Sequence, residues 1–299
     1  MGQQTRRDAH LIATKIPPKR SLLSIEIFPP KTEKGIETLK QRLQTFHSYA
    51  PEFISVTYGA GGSSQTNTLM LADFVQNQLG VTAMAHLTCV GHSRDELAGI
   101  VQRIKQLGIR NIMALRGDPP RGQAEFIAAE EGFRHAAGLI RLIAREGHFC
   151  VGCAGYPEGH VEAESMETDI EHLKEKLDAG AQFVVTQFFL DNTYFLRYRD
   201  LLRRQGIQVP IIAGILPISN YSQITRFSIM CGCTLPARVM RGLHGKADED
   251  QEKFGLEHAA GQVDELLREG VDGIHVYALN KHRAVQALAP LVRGRFPAV

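Results

Sequence analysis

Asn111-Ile112-Met113-Ala114-Leu115-Arg116-Gly117-Asp118-Pro119-Pro120 is the stretch on which the reading of the fold turns. An apolar run of strand length stops at Arg116-Gly117-Asp118, and two prolines forbid its continuation. Opposite charges at a strand end, beside a glycine that lets backbone approach a ligand, mark a working position. The pattern recurs. Phe53 to Tyr58 ends at Gly59-Ala60-Gly61-Gly62, Thr82 to Leu87 carries His86 near its end, and Phe183 to Thr186 runs into Gln187. Polar groups gathered at the C-terminal ends of successive strands are what a (β/α)8 barrel uses for catalysis.

Working outward, strand and helix patterns alternate along the chain. Strands are expected at Leu22–Phe28, Phe53–Tyr58, Thr82–Leu87, Asn111–Leu115, Cys150–Ala154, Gln182–Gln187, Ile211–Leu216 and Gly273–Ala278. Helices are expected at Lys34–Tyr49, Gln65–Leu79, Arg94–Leu107, Phe133–Glu146, Ala163–Ala179, Asn192–Gln205, Ser222–Met230 and Asp248–Glu269, with a last one from His282. Gly80, Gly108, Gly147, Gly180, Gly206 and Gly270 fit helix C-caps. Eight such units without a Pro-, Gly- or Ser-rich linker argue for one closed α/β barrel over residues 21–299, with an extra helix at Leu235–Gly245 between the seventh and eighth units. A doubly wound sheet would carry a Gly-rich fingerprint after its first strand, and Phe28-Pro29-Pro30-Lys31 is nothing like one. Residues 1–20 are basic and aperiodic, and read as a tail or a plug for the barrel bottom.

Composition narrows the function. The chain has 299 residues, 43% of them hydrophobic, with 34 Lys and Arg against 32 Asp and Glu. So balanced a charge recruits neither nucleic acid nor acidic lipid. There is no apolar run long enough to span a bilayer and no apolar signal sequence, and Met1-Gly2 lacks the Ser or Thr that myristoylation wants, having Arg6. The expectation is a soluble cytoplasmic protein acting on small molecules. Cys150-x-x-Cys153 with Cys231-x-Cys233 has the ligand count of a four-cysteine zinc site. The first pair, however, lies in the apolar run Phe149 to Ala154, where a ligand knuckle would need a turn. Free core cysteines and no metal are the expectation.

Side chains alternate along a strand. In the first one Leu23, Ile25 and Ile27 would face the helices, and Ser24, Glu26 and Phe28 the interior. A carboxylate confined there is disfavoured in its charged form, so Glu26 reads as a general acid, or else as the partner of a buried cation. Parity also turns Ser55 and Thr57, Met84 and His86, and Phe183, Val185 and Gln187 inward. Each has a core reading too, but together they converge on one barrel mouth. Tyr156-Pro157-Glu158-Gly159-His160 follows the fifth strand. Asp169, His172 and Lys176 lie three and four apart on the next helix, a face for a phosphate or ribose or simply for solvent. Gly59, Gly61 and Gly62 have the makings of a phosphate cradle. Gly245-Lys246 is no Walker A element, because Met240 stands where its first glycine belongs.

These residues resemble the methylenetetrahydrofolate reductase family. The motifs are Ser24-Ile25-Glu26-Ile27-Phe28-Pro29-Pro30, Ser55-Val56-Thr57-Tyr58-Gly59-Ala60, His86-Leu87-Thr88-Cys89, Ala114-Leu115-Arg116-Gly117-Asp118, Tyr156-Pro157-Glu158-x-His160, Asp178-Ala179-Gly180-Ala181, Thr186-Gln187-Phe188-Phe189, Gly214-Ile215-Leu216-Pro217 and Tyr277-x-Leu279-Asn280, in family order. The resemblance implies flavin-dependent reduction of 5,10-methylenetetrahydrofolate to 5-methyltetrahydrofolate in one-carbon metabolism, with non-covalent FAD. NADH or NADPH would reduce the flavin and leave before folate enters, a ping-pong order. Glu26 would be the general acid, and Asp118 the second catalytic residue, its charge tuning the flavin. Thr57, Tyr58, His86, Arg116, Gly117, Asp118, Ala136, Tyr156, His160, Ala163, Asp169, His172 and Lys176 would meet cofactor or nucleotide. Asp118, Gln187, Gln223, Phe227 and Lys281 would meet folate, and Gln187 the nucleotide as well. A homo-oligomer is implied too.

Some positions depart from the family pattern. His135 stands for a usual Tyr, Gly138 for a frequent Asp, Glu175 for a basic residue, Lys281 for an Arg that would hold a carboxylate bidentately, and Ile27 for a common Phe. The chain stops after the barrel, so the C-terminal regulatory domain of eukaryotic members is expected to be lacking. The competing reading is a flavin-free barrel that transfers a one-carbon unit from folate.

Overall fold

The structure, a computed structural model, describes residues 11–15, 21–58, 62–119 and 126–294. Eight strands, β1 (Leu22–Ile27), β2 (Phe53–Val56), β3 (Ala83–Thr88), β4 (Asn111–Leu115), β5 (Cys150–Gly155), β6 (Phe183–Thr186), β7 (Ile211–Ile215) and β8 (Gly273–Tyr277), close in chain order into a barrel. The pairs β2–β3, β3–β4, β4–β5 and β7–β8 are parallel. Between strands run α2 (Glu33–His47), α3 (Gly62–Asp73), α4 (Arg94–Gln106), α5 (Ala136–Ala144), α6 (Met166–Asp178), α7 (Asn192–Arg204), α8 (Tyr221–Cys231), α9 (Ala237–Leu243) and α10 (Asp248–Arg268). A short α1 (Ile12–Lys15) precedes β1 and α11 (His282–Gly294) follows β8. The (β/α)8 expectation holds, and α9 is the extra helix before the eighth strand.

Local rules explain the helices. In α4, Ser93 and Glu96 form a reciprocal capping box, and Leu97, Ile100, Val101 and Ile104 bury one stripe. The six glycines expected at helix ends all have positive φ, between +59° and +118°. Boundaries shift by one to three residues at many elements, and three helices show it clearly. The helix expected from Phe133 starts at Ala136, because the Phe133 ring turns back against Gly138, where a Cβ would lie 2.4 Å from Phe133 Cδ1. The one expected from Ala163 starts at Met166, with the Ser165 hydroxyl accepting from Thr168 N–H at 3.2 Å as a cap. The third helix ends in a π turn, Phe74–Gln78. Likewise β1 ends at Ile27, and Phe28, ahead of two prolines, is 42% exposed rather than interior.

The chain divides into two compact units. The first comprises Glu26–Ala154, Lys174–Val184 and α1; the second comprises the start of β1, Gly155–Leu173 and Val185 onward. In the first, Phe53 and Phe183 meet at 6.5 Å between ring centroids. They sit on β2 and β6, which are not neighbours in the barrel, so this contact runs through the interior and fixes the inward parity of both strands. Gly152 leaves room for the same ring, since a Cβ there would lie 2.6 Å from Phe183 Cζ. At the opposite strand ends, Asn111 Oδ1 accepts from Ile12 N–H at 2.9 Å and the Cys150 sulfur from Ala13 N–H at 3.4 Å, so α1 is packed there with Ile12 fully buried.

Candidate active site

Glu26 and His86, each turned inward by strand parity, meet in the structure. His86 Nε2 lies 3.5 Å from Glu26 Oε2, with side chains 8% and 18% exposed. The carboxyl is therefore largely shielded yet reachable. Next to it in chain order, Thr57 N–H donates to Ile27 O at 2.9 Å and Thr57 O accepts from the Thr68 hydroxyl at 2.8 Å, which prolongs β2 past its last strand residue. Tyr58 meets His92 Nε2 through its hydroxyl at 2.9 Å, and burial pushes its pKa up to about 12. The phenol therefore stays neutral. His92 carries no sequence motif; only its spacing four before Glu96, which it approaches at 3.9 Å, could have drawn notice.

At the end of β4 the ladder with β3 continues, with Cys89 N–H on Leu115 O and Val90 N–H on Arg116 O. Arg116 stacks over Phe126, 4.9 Å from guanidinium carbon to ring centroid. Gly117 has φ +88°, and a Cβ on it would lie 2.7 Å from Val90 Cγ1. Both conformation and space demand glycine there, because Val90 and Thr88 pack against its backbone. Asp118 is exposed, and Ala136 is the half-buried first residue of α5. Lys176 donates to Ala154 O, near the end of β5, at 2.7 Å. The Gly59–Gly61 part of the glycine turn lies outside the described residues, and Gly62 begins α3.

In the second unit, Tyr156 and His160 meet edge to face at 4.7 Å across a turn closed by Gly159 N–H on Tyr156 O. Ala163 N–H donates to His160 O at 2.9 Å. Gln187 N–H donates to Gly155 O at 2.8 Å, and its side-chain oxygen accepts from Phe188 N–H at 3.0 Å. Asp169 is buried and His172, three residues on, is exposed. Gln223 and Phe227 are half-buried on α8, whose N-terminus is capped by Asn220. Lys281 is exposed and donates to the Ser219 hydroxyl at 2.7 Å. All five cysteines are free, Cys231 half-buried and the others buried; among the described residues no three His, Cys, Asp or Glu converge as a metal site would need.

One polar chain escaped the sequence reading. Ser24 Oγ lies 2.7 Å from His275 Nδ1, both fully buried. The His275 ring meets Tyr277 edge-on at 5.2 Å, and the Tyr277 hydroxyl donates to Thr186 O at 2.7 Å. Thr186 Oγ1 accepts from Gly214 N–H at 3.0 Å, so this chain holds the residue just before Gln187. Alternation in Gly273–Tyr277 already puts His275 and Tyr277 on one face, and that was the available signal.

Residues 11–291 match the methylenetetrahydrofolate reductase family. The chain belongs to that family. It is 38% identical over 261 residues to the 5,10-methylenetetrahydrofolate reductase of Escherichia coli (strain K12), covering 87% of this chain and 86% of the relative. It is 39% identical over 274 residues to methylenetetrahydrofolate reductase (NADH) 1 of Arabidopsis thaliana, covering 87% of this chain and 46% of the relative. The chain spans about half the length of the plant and fission yeast relatives it matches. Among solved structures, an uncharacterized protein from Clostridium thermocellum described as binding two copies of 5-methyl-5,6,7,8-tetrahydrofolic acid aligns with TM-score 0.65 at 16% identity, covering 95% of this chain and 98% of that one. That likeness carries the fold alone.

Three of the positions that the sequence reading sets apart from the family pattern lie in one place. His135, Gly138 and Glu175 line an open concavity of about 490 Å3 in the first unit, together with Phe133, Arg134, Ala137, Arg141 and Asp178. Gly138 follows from its neighbour, because the Phe133 ring fills the space that an Asp side chain would take.

Proposed function

We propose that the protein reduces 5,10-methylenetetrahydrofolate to 5-methyltetrahydrofolate, with NADH as reductant and FAD as hydride carrier. The observation that carries this reading is the Glu26–His86 pair: a shielded but reachable carboxyl beside an imidazole, near strand ends, in a member of this family. Opening the imidazolidine ring of the substrate needs a proton on a weakly basic nitrogen. Glu26 in its neutral form holds that proton at Oε, and His86 orients the carboxyl.

The residues present fit a flavin. The left-handed backbone at Gly117, the Arg116 cation beside it and the neutral Tyr58 phenol are suited to a flat, hydrogen-bonding, anionic dinucleotide. In the first unit Thr57, Tyr58, His86, Arg116, Gly117, Asp118, Ala136 and Lys176 would serve cofactor or nucleotide; in the second, Tyr156, His160, Ala163, Asp169 and His172. When bound, FAD would supply hydride transfer between the reduced nicotinamide and the methylene carbon of folate. Asp118 would accept from the amino-pyrimidine edge of the pterin, while Gln187, Gln223, Phe227 and Lys281 complete the folate side. Because Gln187 is assigned to both folate and nucleotide, the two exclude each other, which is the requirement for ping-pong order.

The test is an anaerobic titration of the purified yellow protein. NADH should bleach the flavin absorbance, and 5,10-methylenetetrahydrofolate should restore it. Failure of folate to restore the colour overturns the proposal, and a colourless protein that transfers a one-carbon unit replaces it with the transferase reading.

A further inference from the structure

The turn after β5 and the segment after α8 are fastened to each other within the second unit. Glu158, between Tyr156 and His160, accepts from Thr234 N–H at 2.9 Å through Oε2. Gly232, which ends α8 in the left-handed region at φ +67°, approaches Val161 so closely that a Cβ would lie 2.6 Å from Val161 Cγ1. Cys233, between these two positions, is buried and its thiol donates to Phe188 O at 3.1 Å, one residue after Gln187. Cys233 and Phe227 pack in one apolar cluster, so a shift of the segment would move Phe227. The other carboxylate oxygen, Oε1, is buried, and the Thr234 side chain acts on this carboxylate as well as its backbone. Burial first, and the nearby Asp191 charge after it, push the Glu158 pKa up, so this carboxylate sits in a poor place to be charged. Its contact to Thr234 is the compensating gain.

We infer that Glu158 is a positioning residue that ties the Tyr156–His160 turn to the C-terminal end of α8, so that the flavin-side turn and the helix bearing Gln223 and Phe227 hold each other in place. The inference rests on the proposed function, since it assigns the turn to FAD and the helix to folate. Glu158 itself touches neither ligand in this scheme. Its effect is coupling: loosening one side should loosen the other.

The experiment compares wild type, Glu158→Ala and Glu158→Gln as flavoproteins. FAD affinity is read by flavin fluorescence, and steady-state and anaerobic stopped-flow assays give the KM for methylenetetrahydrofolate and the rate of flavin reduction by NADH. In Glu158→Ala, FAD binding and folate KM should each weaken by about 10-fold, the loss of one hydrogen bond to a charged acceptor. The flavin reduction rate at saturating FAD should stay within about two-fold, because the lost interaction is not one made in the transition state. Glu158→Gln should restore both, since an amide oxygen still accepts from Thr234 N–H. Should Glu158→Ala fail to fold, Glu158→Met, of similar volume and without that acceptor, takes its place and should show the same double loss. Weakening of only one ligand, or failure of Gln to restore, overturns the inference while leaving the enzyme's activity as proposed. A wild-type protein that takes up no FAD overturns the functional reading and this inference with it.

Discussion

Glu26 and Ser24 stand two residues apart on β1, and their surroundings are opposite. Ser24 meets His275 at 2.7 Å with neither residue exposed, whereas Glu26 meets the buried His86 at 3.5 Å with its own side chain 18% exposed. The deeper pair is a closed, short hydrogen bond whose removal would leave a polar atom stranded. The pair nearer the strand end is longer and its carboxyl is reachable, which is what a group that must exchange a proton with a substrate needs. Distance from the strand end, more than residue type, separates a structural polar group from an available one in this barrel.

The largest effect that could break this contrast is Glu26→Gln. Gln keeps size and hydrogen bonding but cannot give up a proton, so folate reduction should fall by about 10²–10⁴-fold. Flavin reduction by NADH needs no such acid and should persist. Near-normal reoxidation of reduced flavin by methylenetetrahydrofolate in stopped flow would place Glu26 with Ser24, among the structural groups.

Lys176 is the intermediate case, half-buried and already bonded to Ala154 O. If its ammonium also serves the FAD pyrophosphate, Lys176→Ala should weaken FAD affinity by about 10–100-fold, the range for a charge-assisted contact. Activity lost on dilution should return with added FAD. Activity that excess FAD cannot recover would make Lys176 a brace for the end of β5 and nothing more.

Ser24→Ala tests the closed side. It strips His275 of its short partner, and an unsatisfied buried imidazole nitrogen should destabilise the fold by about 1–3 kcal/mol. A urea midpoint measures this. Unchanged stability with a lost folate half-reaction would reverse the roles assigned to the two pairs.

What could be seen in the sequence follows the same division. Glu26, His86, Gly117 and Gln187 announce themselves because a charge, an imidazole, a glycine or an amide follows or interrupts an apolar run near a strand end. The eight-fold alternation was legible for a similar reason: strands buried on both faces leave nearly unbroken apolar runs. His275 lay unseen because a buried histidine satisfied by a serine looks, in sequence, like any polar residue in a strand. Phe133 was read into a helix by its apolar spacing, and only packing against Gly138 shows that it folds back. The Glu158–Thr234 link joins residues 76 apart, a separation over which periodicity says nothing.

The smallest effect concerns pH, and it distinguishes a shielded carboxyl held for structure from one held for chemistry. Burial raises the Glu158 pKa above its ordinary value of 4.5. The folded state therefore holds this proton more tightly than the unfolded state does, and the unfolded chain binds fewer protons over the interval between the two values. Stability then falls as pH rises: the contribution is fully present below 4.5 and is lost as pH passes through the raised folded value. Glu158→Gln has no proton to lose and still accepts from Thr234. Its urea midpoint should match wild type in acid below 4.5, gain on wild type as pH rises through that interval, and run parallel to it near neutrality. Glu158 is only half-buried, so solvent screening keeps the gain small. A difference between variant and wild type that stays flat from acid to neutral pH would mean that the carboxyl titrates normally and that the clamp carries no burial penalty. A difference of the opposite sign would mean that the ionised carboxylate, held by Thr234, is favoured in the folded state, and Glu158 would then resemble an ordinary stabilising cap rather than a constrained link.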